Sequence, residues 1–160
     1  MIILGISIGT RTSGIAIISD KGLMSWNTLS FKSSWSEKKG EAIISKYEKY
    51  LEQHDVTAII LKVPRLSHHS AAIISLLKQI DTIVKSHGCM VDYKSQADIK
   101  AAIPAIKNGQ DLIAHTTLHY PILQRAQHRE LTNRNNYHDK MFEAVLVAHL
   151  WKEENKNSSY

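Results

Sequence analysis

The chain reads as an α/β domain built on one mixed sheet of five strands, and three observations lead there. Three apolar runs near the N-terminus are joined by tight turn signals, the pattern of an antiparallel meander. Beyond them, short apolar runs alternate with stretches of helical period, which places helices on the same sheet. The 160 residues suit one domain around one core, with no repeat, linker or low-complexity stretch.

Met1 to Ile8 is the first apolar run, rich in Ile. Ile8 to Gly14 holds two glycines and reads as a turn, with Gly9 and Gly14 supplying positive φ. Ile15 to Ile18 is the second run. Asp20-Lys21-Gly22 is another turn signal, and Leu23 to Phe31 alternates as a third strand. Ile43, Ile44, Tyr47 and Leu51 then mark one helical stripe. Val56 to Val63 is a fourth strand, apolar without a break at Ala58 to Leu61, as a strand covered on both faces must be. Pro64 ends it.

Ser67 or Ser70 caps the next helix, whose apolar face is wide: Ile73, Leu76, Leu77, Ile80, Ile83 and Val84, with Gly88 as the stop. Met90 to Tyr93 is a brief fifth strand, opened by the lone Cys89. Gln96 to Ile103 and Asp111 to His119 are two short helices around Pro104 and Asn108-Gly109. The polar stretch Leu123 to Tyr137 is expected to be a loop. Asn136 caps a last helix over Asp139 to Glu153, and Asn155 to Tyr160 is expected to fray. The domain is thus residues 1–154, with 155–160 as tail.

Lys and Arg number 20 against 15 Asp and Glu, a formal net charge of +5. Such a balance permits a polyanionic partner without requiring one. A single cysteine excludes an internal disulfide and a cysteine zinc site. No apolar run reaches the roughly 18 residues of a membrane span, and the N-terminus enters a strand without a leader pattern. A cytoplasmic location is the default expectation.

The segment Ile3-Leu4-Gly5-Ile6-Ser7-Ile8-Gly9-Thr10, followed by Gly14-Ile15-Ala16, resembles the first strand and turn of RuvC resolvases. In that family the segment carries G-I-D-x-G-T, so Ser7 stands at the aspartate position. Tyr93 to Lys100 resembles the family's fifth strand and the lysine-bearing helix after it. Phe142-Glu143-Ala144-Val145-Leu146-Val147-Ala148-His149 is similar to its closing D-A-L-A-x-A-x-x-H pattern, with Glu143 at the acidic position. The first turn alone also matches the phosphate-binding strand of actin-like and Hsp70-like ATPases, which need two such domains and more than twice this length. The resemblance runs from Ile3 to His149 and implies an RNase H-like mixed sheet with helices on both faces.

It also implies a chemistry. RuvC-type nucleases hydrolyse phosphodiesters with two divalent ions about 3.5–4 Å apart, held by carboxylates from the first strand, the end of the fourth strand and the last helix. Mg²⁺ demands such oxygen ligands. Here Ser7 is neutral, Lys62 lies where a glutamate is expected, and Lys140 falls where the family often has another acid. Asp139 and Glu143, four residues apart on one helix, are the residual catalytic and metal candidates. The implied site is degenerate, with the two-metal reaction lost or severely weakened. Alternatively, Asp20, Asp92, His68, His69 or His138 rebuild a site of different geometry, and imidazole would favour Zn²⁺ or Mn²⁺.

Each residue also has a structural explanation. Ser7 suits a crowded central strand; Asp139 favours a helix N-terminus; Glu143 suits a helix surface; His68-His69 suits a solvated loop; His149 suits a hydrogen-bonded core position. Trp26, Trp35, Tyr47 and Tyr50 pack against the first helix or, alternatively, stack on bases.

Arg125, His128, Arg129, Arg134 and Lys140 lie within sixteen residues, opposed only by Glu130 and Asp139. Guanidinium groups grip phosphates in pairs of bonds, and Lys94, Lys100 and Lys107 extend the positive surface. The favoured reading is an RNase H-like module that holds structured or branched DNA or RNA without cutting it, needing no cofactor. A divergent nuclease using Mg²⁺ or Mn²⁺ through Asp139 and Glu143 is the enzyme alternative, and a non-catalytic protein-interaction subunit is the third. The apolar face of the helix between Ser70 and His87 exceeds what one sheet face needs, and the RuvC resemblance implies a homodimer through that helix.

Overall fold

In a computed structural model, which describes residues 1–132 and 139–157, five strands form one sheet in the order β3-β2-β1-β4-β5. β1 (Ile2–Ser7), β2 (Thr12–Ser19) and β3 (Gly22–Ser30) make the expected meander. β4 (Ala58–Lys62) joins β1 in parallel, and β5 (Met90–Lys94) joins β4 in parallel. β1 is therefore central, paired on both edges.

Strand side chains alternate between faces, and the two faces have different partners. Leu4, Ile6, Ile8, Ile15, Ile17, Ile59 and Leu61 meet α1 (Glu37–Gln53) and α2 (Ala71–His87). Ile3, Ala16, Ile18, Ala58 and Ile60 meet the other layer. There α6 (Asp139–Asn157) lies across the sheet, flanked by α3 (Gln96–Ala102) and α4 (Gly109–His119). Ser7 follows Ile3 and Gly5 on the α6 face, and Lys62 follows Ala58 and Ile60 there.

Local chemistry sets the helix ends. Ser36, Ser70 and Asn108 accept backbone N–H groups as N-caps, and Ser95 forms a reciprocal capping box with Asp98. Ser70, not Ser67, caps α2. Gly88 ends α2 at φ 66°, a left-handed conformation that favours glycine.

Several expectations need correction. Gly9 and Gly14 do not adopt positive φ; among described glycines only Gly22 and Gly88 do. Gly14 lies inside β2, and a β-carbon there would collide with the α6 backbone at Lys140 and Met141. Gly5 meets the carbonyl of Ala144 in the same way. These glycines let α6 rest directly on the strands. The described part of the expected loop Leu123 to Tyr137 is helical: α5 (Gln124–Thr132) follows a 3₁₀ turn, Pro121–Leu123, and the rest of that loop lies outside the described residues. This helix buries no residue fully, so it lacked an apolar stripe; its Gln, Arg, Ala, Glu and Leu content favours helix regardless. The last helix runs on to Asn157, past the point where fraying was expected.

The wide face of α2 is mostly consumed by the core, leaving Ile74 exposed and Leu77 half-buried. The surplus taken as a dimer face is thus small. Tyr47, Tyr50 and Trp35 pack on the α1 side as expected, whereas Trp26 packs on the opposite, α6 side. Among the described residues no helix is long and apolar enough to cross a membrane.

Candidate functional site

One row of residues crosses the sheet near one end: Thr28, Gly14, Ser7, Lys62 and Lys94, each paired with the next. Neighbouring strands lie about 4.8 Å apart, so Ser7 and Lys62 stand side by side beneath the start of α6. Ser7 is buried at 1% exposure. Its hydroxyl donates to Glu143 Oε2 at 2.6 Å. Lys62 Nζ approaches the same oxygen at 3.3 Å. Side chains from β1 and β4 thus converge on one carboxylate oxygen of α6.

Lys140, one turn before Glu143, sends Nζ to the carbonyl of Ile8 at 3.1 Å. Burial lowers the pKa of this ammonium; Glu143 opposes the shift and the Lys62 cation reinforces it. With Lys62 and Lys140 charged, two cations face one carboxylate.

Outward from this cluster a pocket of about 290 Å³ opens, lined by Lys62, Arg65, His68, Gln96 and Lys140 among others. Its charged wall is entirely basic. A second pocket, about 400 Å³, lies between β3 and α5 and carries Trp26, Arg125, Arg129 and Met141 on its walls. Lys140 lines the first pocket and Met141, the next residue, the second; the start of α6 divides them. Sequence reading placed Arg125 and Arg129 among binding residues but missed Arg65 and the pairing of Trp26 with α5. Arg65 was legible as a cation just past the end of β4. The Trp26 contact required knowing that α5 is a helix.

The other candidates are dispersed. The Asp139 carboxylate faces the N-terminus of α4, with Oδ2 3.9 Å from where a β-carbon on Gly109 would stand. Asp20 accepts the N-terminal ammonium at 3.0 Å, at the opposite end of the sheet from Ser7. Asp92 accepts the Tyr93 N–H within β5. His69 Nε2 sits 2.8 Å from the Pro64 carbonyl, within its own loop, whereas His68 lines the basic pocket. Lys94 does not extend the positive surface: both oxygens of Glu154 lie 2.8 Å from its Nζ. Lys100 and Lys107 are exposed. Arg134, His138 and the expected helix cap Asn136 lie outside the described residues.

Among the described residues, one group of three or more His, Cys, Asp or Glu side chains brings its ligand atoms within 4.8 Å: Glu48, Glu52 and His87, between α1 and α2. Neither Glu143 nor Asp139 belongs to it. His149 is half-buried; its Nδ1 lies 2.8 Å from the Tyr120 hydroxyl, and burial lowers its pKa to about 4.

No family model matches the chain, and no curated protein sequence does. Solved structures do. T. thermophilus RuvC in complex with Holliday junction substrate aligns at TM-score 0.69 and 12% identity, covering 92% of this chain and 90% of that one. A second Thermus thermophilus RuvC structure aligns at the same score and identity, over 92% and 91%. At this identity the likeness concerns architecture: the chain has the RNase H-like α/β fold, structurally similar to RuvC.

Proposed function

We propose that this protein binds nucleic acid through a cationic cleft at the position of a nuclease centre, and that it does not cut. The observation that carries the reading is the convergence of Ser7 and Lys62 on Glu143, with Lys140 beside them.

The donor set argues against a pair of divalent ions. Mg²⁺ and Mn²⁺ in such centres need several anionic oxygens. Here one carboxylate already accepts a hydroxyl and faces an ammonium, and a second ammonium stands close by. A divalent ion entering would meet two fixed cations in a partly buried setting, where repulsion is weakly screened. The residues do not fit the two-metal centre that the RuvC resemblance implies.

They fit a phosphate instead. Lys62, Arg65 and Lys140 supply charged donors, and Gln96 a neutral one, around a pocket open to solvent. Arg125 and Arg129, with exposed Lys100 and Lys107, offer further backbone contacts. The structurally similar RuvC was solved with a Holliday junction substrate, which makes branched DNA the first partner to try.

The test is fluorescence anisotropy with a labelled four-way junction, a duplex and a single strand, in EDTA and across a salt series. Binding should survive EDTA, and log affinity should fall linearly with log salt. Charge reversal at Lys62 and Lys140 should weaken it at least tenfold. Cleavage of any substrate in Mg²⁺ or Mn²⁺, abolished by Glu143→Ala, would replace this reading with a divergent nuclease. No binding at low salt would leave a protein-interaction role.

A further inference from the structure

We propose that the groove between β3 and α5 seats one unpaired base of a nucleic-acid strand, stacked on Trp26, with Arg125 and Arg129 holding the phosphates beside it. This deepens the nucleic-acid reading above and rests on it, naming strands with unpaired nucleotides as the substrate class.

The groove is built for a flat apolar ring with charge at its edges. Its volume of about 400 Å³ falls within the roughly 300–1,000 Å³ of small-molecule sites. Trp26, Ile122 and Met141 give apolar wall. Trp26 is half-buried: it packs on the α6-side core yet still lines the groove. That backing holds the indole in place, so little side-chain freedom is left to lose when a ring stacks on it.

The arginines complete the fit. Arg125 and Arg129 are four residues apart on α5, which sets their β-carbons about 5–6 Å from one another on one face. Both are exposed, and neither guanidinium joins an ion pair among the described residues. Two uncompensated cations at the rim of an apolar slot match a base with its neighbouring phosphates. A duplex keeps its base faces stacked inside and has none to offer Trp26; an unpaired nucleotide does.

Position supports the same ligand. Thr28 on the groove wall shares a sheet row with Ser7, two strand spacings or about 10 Å away. A strand held at the Lys62–Lys140 cleft therefore has its near neighbours within reach of Trp26.

The test uses the full chain with labelled (dT)8, (rU)8 and a blunt duplex, followed by anisotropy and by tryptophan emission. Single strands should quench emission, and Trp26→Phe should remove that quenching while keeping most affinity, since a ring remains. Trp26→Leu should weaken single-strand binding about tenfold more than duplex binding. Equal weakening of both, or of neither, overturns the groove as a base site. If Trp26→Leu does not fold, Arg125→Ala with Arg129→Ala carries the same comparison, and an unchanged single-strand preference overturns the proposal. The (dT)8 and (rU)8 arms tell DNA from RNA. Absence of any nucleic-acid binding defeats the proposed function itself; duplex binding with no Trp26 effect defeats only the groove.

Discussion

Lys62 stands directly beside Ser7 in the β1–β4 ladder, and both side chains reach the same oxygen of Glu143. One carboxylate is thus held by a neutral donor and a cation from two adjacent strands. With Lys140 and Arg65 beside this trio, cations outnumber the single carboxylate, and that balance can be reversed.

Changing Ser7→Asp together with Lys62→Glu should bring three carboxylates together where one now stands. Without metal the variant should lose about 3 kcal/mol of stability, from burying like charges. Mn²⁺ at millimolar concentration should recover much of it, seen as a rise in Tm absent from the parent. A Tm indifferent to Mn²⁺ would show that the cleft is unsuited to cations for reasons beyond its charge.

Glu143→Gln should do the opposite of what it does in a nuclease. It removes the anion between two lysines, and affinity for DNA at low salt should rise roughly threefold to tenfold. Stability should fall by about 2 kcal/mol, because the buried end of Lys62 loses its partner. Anisotropy and urea unfolding read the two effects separately.

Arg125→Glu with Arg129→Glu should reduce the slope of log affinity against log salt by about 2, one unit for each lost phosphate contact. The slope is the diagnostic, since loss of an uncharged contact lowers affinity without changing it.

Gly14→Ala should destabilise the fold by about 3 kcal/mol, at the upper end of overpacking costs. The new methyl meets the backbone of α6, which has no rotamer to yield. The shift in urea midpoint measures it.

Acid should weaken the protein through His149. Its folded pKa of about 4 lies below the ordinary 6.5, set first by burial and then by nearby His119. Lys152 and His115 act in the same sense, Glu153 in the opposite one. A depressed histidine contributes stability that is fully present above pH 6.5 and lost as pH falls towards 4. The partial exposure of the ring screens the effect, leaving about 1–2 kcal/mol. His149→Phe should flatten ΔG between pH 6.5 and 4.

The meander and the sequence of elements were legible because turn signals separate the apolar runs of β1 to β3 and because the unbroken run Ala58 to Leu61 fits a strand covered on both faces; the order of strands across the sheet was not, since it depends on which distant segments pair. Ser7, Lys62 and Glu143 were legible as a set through the family resemblance, which supplied the positions that distant chain segments bring together. Spacing alone did not show that Asp139 turns to α4 while Glu143 turns to β1, since both lie on one helix four residues apart. Nor did it show α5, whose helical preference comes from residue type without periodicity. Lys94 read as a free cation because its partner Glu154 is distant in sequence.

The glycines beneath α6 leave that helix no slack. It rests on main chain at Gly5 and Gly14, so it cannot come closer to the strands, and no side chain fits between them there. The charge of the cleft is set by side chains at strand ends, Ser7 and Lys62, while the helix above them is seated on glycine main chain in β1 and β2.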